Sequence, residues 1–150
     1  MRIKRDKRDA IFSLLIRERA GWRCECCGKQ FERGAQNLHC SHLFGRRHRS
    51  TRWAENGAVA HCAACHFYLT EHPVEFAEWI EGYLGNNEMQ RMRLVSQVVA
   101  KFSKRDLENI YRWMKAEYGH MLDRRKGPGC PQYVPFKDAP EIAALERKIA

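Results

Sequence analysis

No apolar run in this 150-residue chain approaches the roughly 18 residues that a membrane-spanning helix requires. Also missing are an internal repeat and any helix recognisable as a reader of base edges. The opening MRIKRDKRDAIFSLLIRERAG begins basic, as secretion signals do. Its apolar part is broken by Arg17, Glu18 and Arg19 and no small-residue cleavage site follows, so it reads as a helix of a cytoplasmic protein. The seven cysteines cannot all pair, and a reducing compartment argues further against a disulfide framework. Carboxylates are in deficit: 18 Asp and Glu face 27 Lys and Arg, a formal net charge of +9. An excess of that sign points to a polyanion as partner, because cations that neutralise phosphates release bound counterions.

What is present suffices for a folded chain. Hydrophobic residues make up 44%, too many for wholesale disorder, and 150 residues can enclose one core. Between Arg8 and Ala20, residues Ile11, Phe12, Leu14, Leu15 and Ile16 give an amphipathic helix closed by Gly21. Pro73 suits the first turn of another helix, with Phe76, Trp79, Ile80, Tyr83 and Leu84 on one face and a break at Gly85 and Asn86. A third helix is expected from about Glu88, its stripe running through Met92, Val95, Val99 and Phe102. In SKRD, Ser103 caps a fourth and Asp106 faces back to complete a capping box. Leu107, Ile110, Met114, Tyr118 and Met121 follow at helical spacing, with Lys101, Lys104, Arg105, Arg112 and Lys115 facing outward. RRKGPGCPQYVPF is dense in Gly and Pro and reads as an extended arm, with a short helix after Pro140. The expected organisation is one domain over 1–126 and an arm over 127–150. The domain comprises a helix over 8–20, a cysteine-rich core over 22–72 and helices over 73–124.

All but one of the cysteines fall between residues 22 and 66. Cys24 and Cys27 form a Cys-x-x-Cys followed by Gly28, and Cys62 and Cys65 form a second. Each such turn brings two thiolates onto one tetrahedral ion at about 2.3 Å, so two turns close a four-sulfur zinc site with no open position. Zinc in that setting is structural and contributes folding free energy to a segment poor in apolar residues. A redox role is the competing reading of a Cys-x-x-Cys, and Cys26 could replace a neighbour in the register. Cys40 and Cys130 are expected to be buried free thiols.

Between the two cysteine pairs lie His39, His42 and His48, interleaved with Arg46, Arg47, Arg49 and Arg52. Asn56, His61 and His66 follow. LHCSHL and GAVAH are expected as two strands joined by the Arg46–Glu55 loop, with a helix opening at the second Cys-x-x-Cys. In that arrangement His42 ends the first strand, and His66 on the first helical turn approaches the same cleft. His61 is expected to pack within its strand. His39 and His48 stay open, with His48 nearer the expected phosphate path.

The order Cys-x-x-Cys, His, Asn, Cys-x-x-Cys-His resembles that of the HNH endonucleases of the β-β-α-metal fold. More narrowly, CSHLFGRRHRSTRW, AHCAACHFYL and KFSKRDLENIYRWMKAEY are similar to phage-type HNH proteins and to NinG-type recombination nucleases. The motif likeness spans about residues 24–80. It implies an α+β fold, a zinc-stabilised β-β-α-metal unit flanked by several α-helices. It further implies hydrolysis of DNA phosphodiester bonds, duplex or branched, in a bacterial cell or a phage-infected host. His42 would be the general base, and His66 with Asn56 would hold a catalytic Mg²⁺ or Mn²⁺ distinct from the zinc on Cys24, Cys27, Cys62 and Cys65. Arg46, Arg47, His48, Arg49 and Arg52 would contact the nucleic acid. Ser41 stands where many such proteins carry Asp or His, and Gly57 fills the column of their Asn, with Asn56 one place earlier. The alternative is a zinc-held nucleic-acid-binding module without catalysis. The helices after residue 73 could also carry a homodimer contact.

Overall fold

The computed structural model describes residues 2–149. Asp6 starts helix α1 (Lys7–Arg19) through a capping box: its carboxylate accepts from the amides of Arg8 and Asp9, and Asp9 accepts from the Asp6 amide. The helix thus begins one residue before the expected Arg8. Gly21 at φ +61° follows its end, where an added Cβ would meet Gln132 at 2.4 Å, so only glycine fits there. Phe12, Leu15 and Ile16 are fully buried.

Strands β1 (Leu38–His42) and β2 (Ala58–Cys62) form an antiparallel two-stranded sheet. The register sets Leu38 opposite Cys62, His39 opposite His61 and His42 opposite Ala58. Helix α2 (Ala63–Glu71) leaves β2 directly, so strand, strand and helix follow in the expected order. Because side chains alternate across a strand, Cys40 and His42 turn toward α1, where the His42 ring lies 5.7 Å from that of Phe12. On the other face, His61 packs edge-on against Trp79, with ring centroids 4.6 Å apart.

Helix α3 (Pro73–Leu84) opens on its proline as expected, and α4 (Asn86–Gln97) follows a break at Gly85. Met89, Met92 and Val95 are buried on α4. The expected stripe does not reach Val99, which lies beyond the end of α4 and is 74% exposed. Helix α5 (Lys104–Arg125) carries the Ser103–Asp106 capping box and packs along α1. Lys101, Lys104, Arg105, Arg112 and Lys115 are exposed, as expected.

Residues 127–139 form no helix or strand, yet they do not hang free. The amide of Val134 donates to the Arg19 carbonyl, and Val134, Phe136 and Ala139 enter the main core. A short helix α6 (Pro140–Ala143) adds Ile142 to that core. The architecture is α+β, a small sheet enclosed by helices. No helix among the described residues is long and apolar enough to cross a membrane.

Candidate functional site

The four expected sulfurs come together. Cys24, Cys27, Cys62 and Cys65 place their Sγ atoms within 4.8 Å of one another, and Cys27 and Cys62 are 3.9 Å apart. Four sulfurs around one ion at about 2.3 Å would lie about 3.8 Å apart, so this donor set can hold a metal such as zinc. Local backbone geometry builds the cluster. The Arg23–Gln30 bridge closes a knuckle around the first pair, and the Cys62 amide donates to Cys24 Sγ at 3.2 Å. Cys62 also caps α2, accepting from the Cys65 amide.

One thiol of the four is electrostatically prepared for a cation. Burial alone would raise Cys24, but bonds from the amides of Cys27, Cys62 and Cys26 outweigh it and bring the pKa down to about 7. Burial pushes Cys62 and Cys65 up, and the charge of a Cys24 thiolate pushes them further. One proton leaves easily and its loss opposes the next, an opposition that a divalent ion removes. Cys26 is exposed and outside the cluster. Cys40 and Cys130 are half-buried rather than buried, and burial of its sulfur raises Cys40 to about 12.

A cleft of about 1590 Å³ opens along the free edge of β1, lined by residues from both of its faces. His39, His42 and His66 all line it. The Nδ1 atoms of His39 and His66 are 3.0 Å apart, the approach of two imidazole nitrogens that share a proton or converge on one cation. Burial, then the charge of His39, lowers the His66 pKa. At His42, Nε2 lies 3.0 Å from the Arg52 carbonyl. A carbonyl can only accept, so Nε2 carries the proton and Nδ1 keeps its lone pair. Burial pushes the His42 pKa down to about 4, so the ring is neutral at physiological pH.

Not every expected residue joins this cleft. Asn56 is corrected: its amide donates to Glu88 at 2.6 Å, and it is absent from the cleft lining. Gly57, in the column where the resemblance has Asn, cannot carry any side chain, because a Cβ would sit 2.0 Å from the Thr51 carbonyl oxygen. Arg52 is corrected too. It is buried, forked onto Asp9 and stacked over Trp53, with no reach to an external phosphate. His48 donates from Nδ1 to the Ser96 carbonyl at 3.0 Å and ties the loop to α4 instead of facing a ligand. Arg47 and Arg49 are exposed away from the cleft, Arg49 lying over Phe102. Of the loop cations, Arg46 alone lines it.

Of the two histidines the sequence left open, His39 is the one that joins the cleft, and its signal was the pairing of LHCSHL with GAVAH, which carries it to the β2–α2 junction. Other cations of the lining, Arg2, Lys4, Arg5, Arg17 and Arg93, come from outside the motif. Among the described residues Asp9 is the single carboxylate on that wall, and Arg52 neutralises it. His61 is fully buried in β2 as expected, with neither ring nitrogen partnered. Compared with models of known families, with characterised proteins and with solved structures, the chain matches none.

Proposed function

We propose that this cleft hydrolyses phosphodiester bonds of DNA, with the four-sulfur centre as a structural zinc site. One observation carries the proposal: a neutral, tautomerically fixed imidazole at His42 shares a cation-lined cleft with the converging His39 and His66 nitrogens. His42 Nδ1 acts as general base, taking a proton from water as it attacks phosphorus, while the Arg52 carbonyl steadies the imidazolium that forms. His39 takes the place that the resemblance gives to Asn56, so His39 and His66 would hold the catalytic cation. Two imidazoles suit Mn²⁺ or a later first-row ion better than Mg²⁺, which prefers oxygen. When bound, such a cation offsets charge on the scissile phosphate and the leaving oxygen. Exposed cations of the lining orient the phosphate backbone.

A plasmid-nicking assay across Mg²⁺, Mn²⁺, Co²⁺ and Ni²⁺ tests this. Wild type should nick, and His42→Ala should lose about 10²–10⁴-fold in rate with zinc content intact. Wild-type-like cleavage by that variant would remove His42 from the role of base. The withdrawal of Asn56 to Glu88 favours a second reading, a zinc-held module that binds DNA without cutting it. Tight, salt-sensitive binding with no cleavage under any of the four ions would select it.

A further inference from the structure

Ahead of α1, residues 2–5 run as an irregular strap along the cleft, and all four line it. Two arginine side chains hold the strap by its backbone. Arg46 Nη2 donates to the Ile3 carbonyl at 3.2 Å, and Arg52 Nη2 donates to the Lys4 carbonyl at 3.2 Å. Arg52 is itself fixed by Asp9, and Asp9 completes the cap at Asp6 from which the strap departs. The strap is therefore anchored at its root, at residue 4 and at residue 3. Ile3 is half-buried, whereas Arg2, Lys4 and Arg5 are exposed. No carboxylate pairs with these three cations among the described residues.

We infer that residues 2–5 are a phosphate-gripping arm, which lies beside a DNA duplex seated in the cleft and contacts its sugar–phosphate backbone through Arg2, Lys4 and Arg5. Arg46 and Arg52 are positioning residues for this arm: their guanidinium groups direct donors onto its carbonyls and so aim its side chains. Three features select a phosphate backbone as the occupant. The exposed cations are unpaired, the wall's one carboxylate is already neutralised, and the cleft is long enough to be lined from β1, the 43–46 turn, α3 and α4 at once. An acidic protein surface would also be drawn to positive charge, and a titration that shows no DNA binding would leave that partner in its place. Holding the arm by its backbone leaves every one of its charged side chains available, an arrangement suited to a uniform row of phosphates rather than to reading bases.

The arm's role presupposes that DNA occupies the cleft, so the test separates the two claims. Anisotropy titrations use a 20-base-pair duplex from 50 to 300 mM KCl, all in a His42→Ala background to prevent cleavage. The parent should bind with a steep salt dependence. Arg2→Ala/Lys4→Ala/Arg5→Ala together should reduce the slope of log K against log salt by about 2–3, at roughly 0.9 for each phosphate that is no longer neutralised. Affinity near 150 mM should fall by about tenfold or more, with an unchanged melting temperature because the three side chains are exposed. Arg46→Ala should weaken binding as well, and combining it with the triple variant should add much less than its separate effect, since the arm it positions is already bare. A parent that does not bind defeats both claims. A parent that binds steeply beside a triple variant of equal slope defeats the arm alone. Full additivity of Arg46→Ala would show that Arg46 grips phosphate itself and would overturn its positioning role.

Discussion

Arg52 and Asp9 form a forked ion pair inside the protein, with Nε on Oδ1 at 2.9 Å and Nη2 on Oδ2 at 2.6 Å. Their side chains are only 9% and 3% exposed. Burial alone would raise the Asp9 carboxyl, but its bonds to Arg52, the Asp6 amide and the Trp53 indole outweigh burial and hold the pKa below the ordinary range. Removing one partner strands the other charge away from water. Arg52→Ala should therefore cost about 3–5 kcal/mol of stability in a urea titration. A variant as stable as wild type would mean that the pair contributes nothing to the fold.

The sulfur cluster predicts a sharp split among the cysteines. Purified protein should contain about one zinc per chain by elemental mass spectrometry. Cys65→Ser should lose most of it and unfold at lower temperature, whereas Cys26→Ser and Cys130→Ser should keep it. Equal zinc loss in the Cys26 variant would place that thiol among the ligands.

The depressed pKa of His42 makes stability depend on pH in a definite direction. In the unfolded chain the ring titrates near its ordinary 6.5, and in the folded protein near 4. Between those values the unfolded state binds the extra proton, so this contribution is complete above about pH 6.5 and is lost as pH falls toward 4. Melting curves from pH 7 to 5 should show a shallower decline for His42→Gln than for wild type. Parallel declines would locate the acid sensitivity elsewhere.

His61 is buried with both ring nitrogens unpartnered, between Trp79 and Phe76. Burial, helped by the charge of His66, lowers its pKa to about 4. An apolar side chain of similar size removes the desolvated nitrogens, so His61→Leu should be neutral or stabilising by about 1 kcal/mol. Strong destabilisation would reveal that the ring has a partner, such as a buried water, that it needs.

Local chemistry was legible in the sequence, and long-range commitment was not. The two Cys-x-x-Cys turns, Pro73 at a helix start and the Ser103–Asp106 box each depend on residues three or four apart, and all took the expected form. Arg52 looked like another loop cation because its carboxylate lies 43 residues away on α1. Asn56 looked like a cleft residue because nothing near it in sequence announces Glu88 on α4. Val99 continued a helical period past Gln97, where the helix had already stopped. Val134 and Phe136 sit among Gly and Pro, whose turn chemistry masked two alternating core positions. Their burial is set by the surface of α1, which composition does not describe.

One consequence concerns how the chain is made. Cys27 and Cys62 stand 35 residues apart, so a growing chain leaves the ribosome with half of the sulfur set and no closing partner. At about 5–20 residues per second the wait is roughly 2–7 s. During it the early pair is open to oxidation and to rival metals, and the later hairpin has not yet been synthesised. Closure of the four-sulfur set around a metal therefore waits until the second pair has emerged.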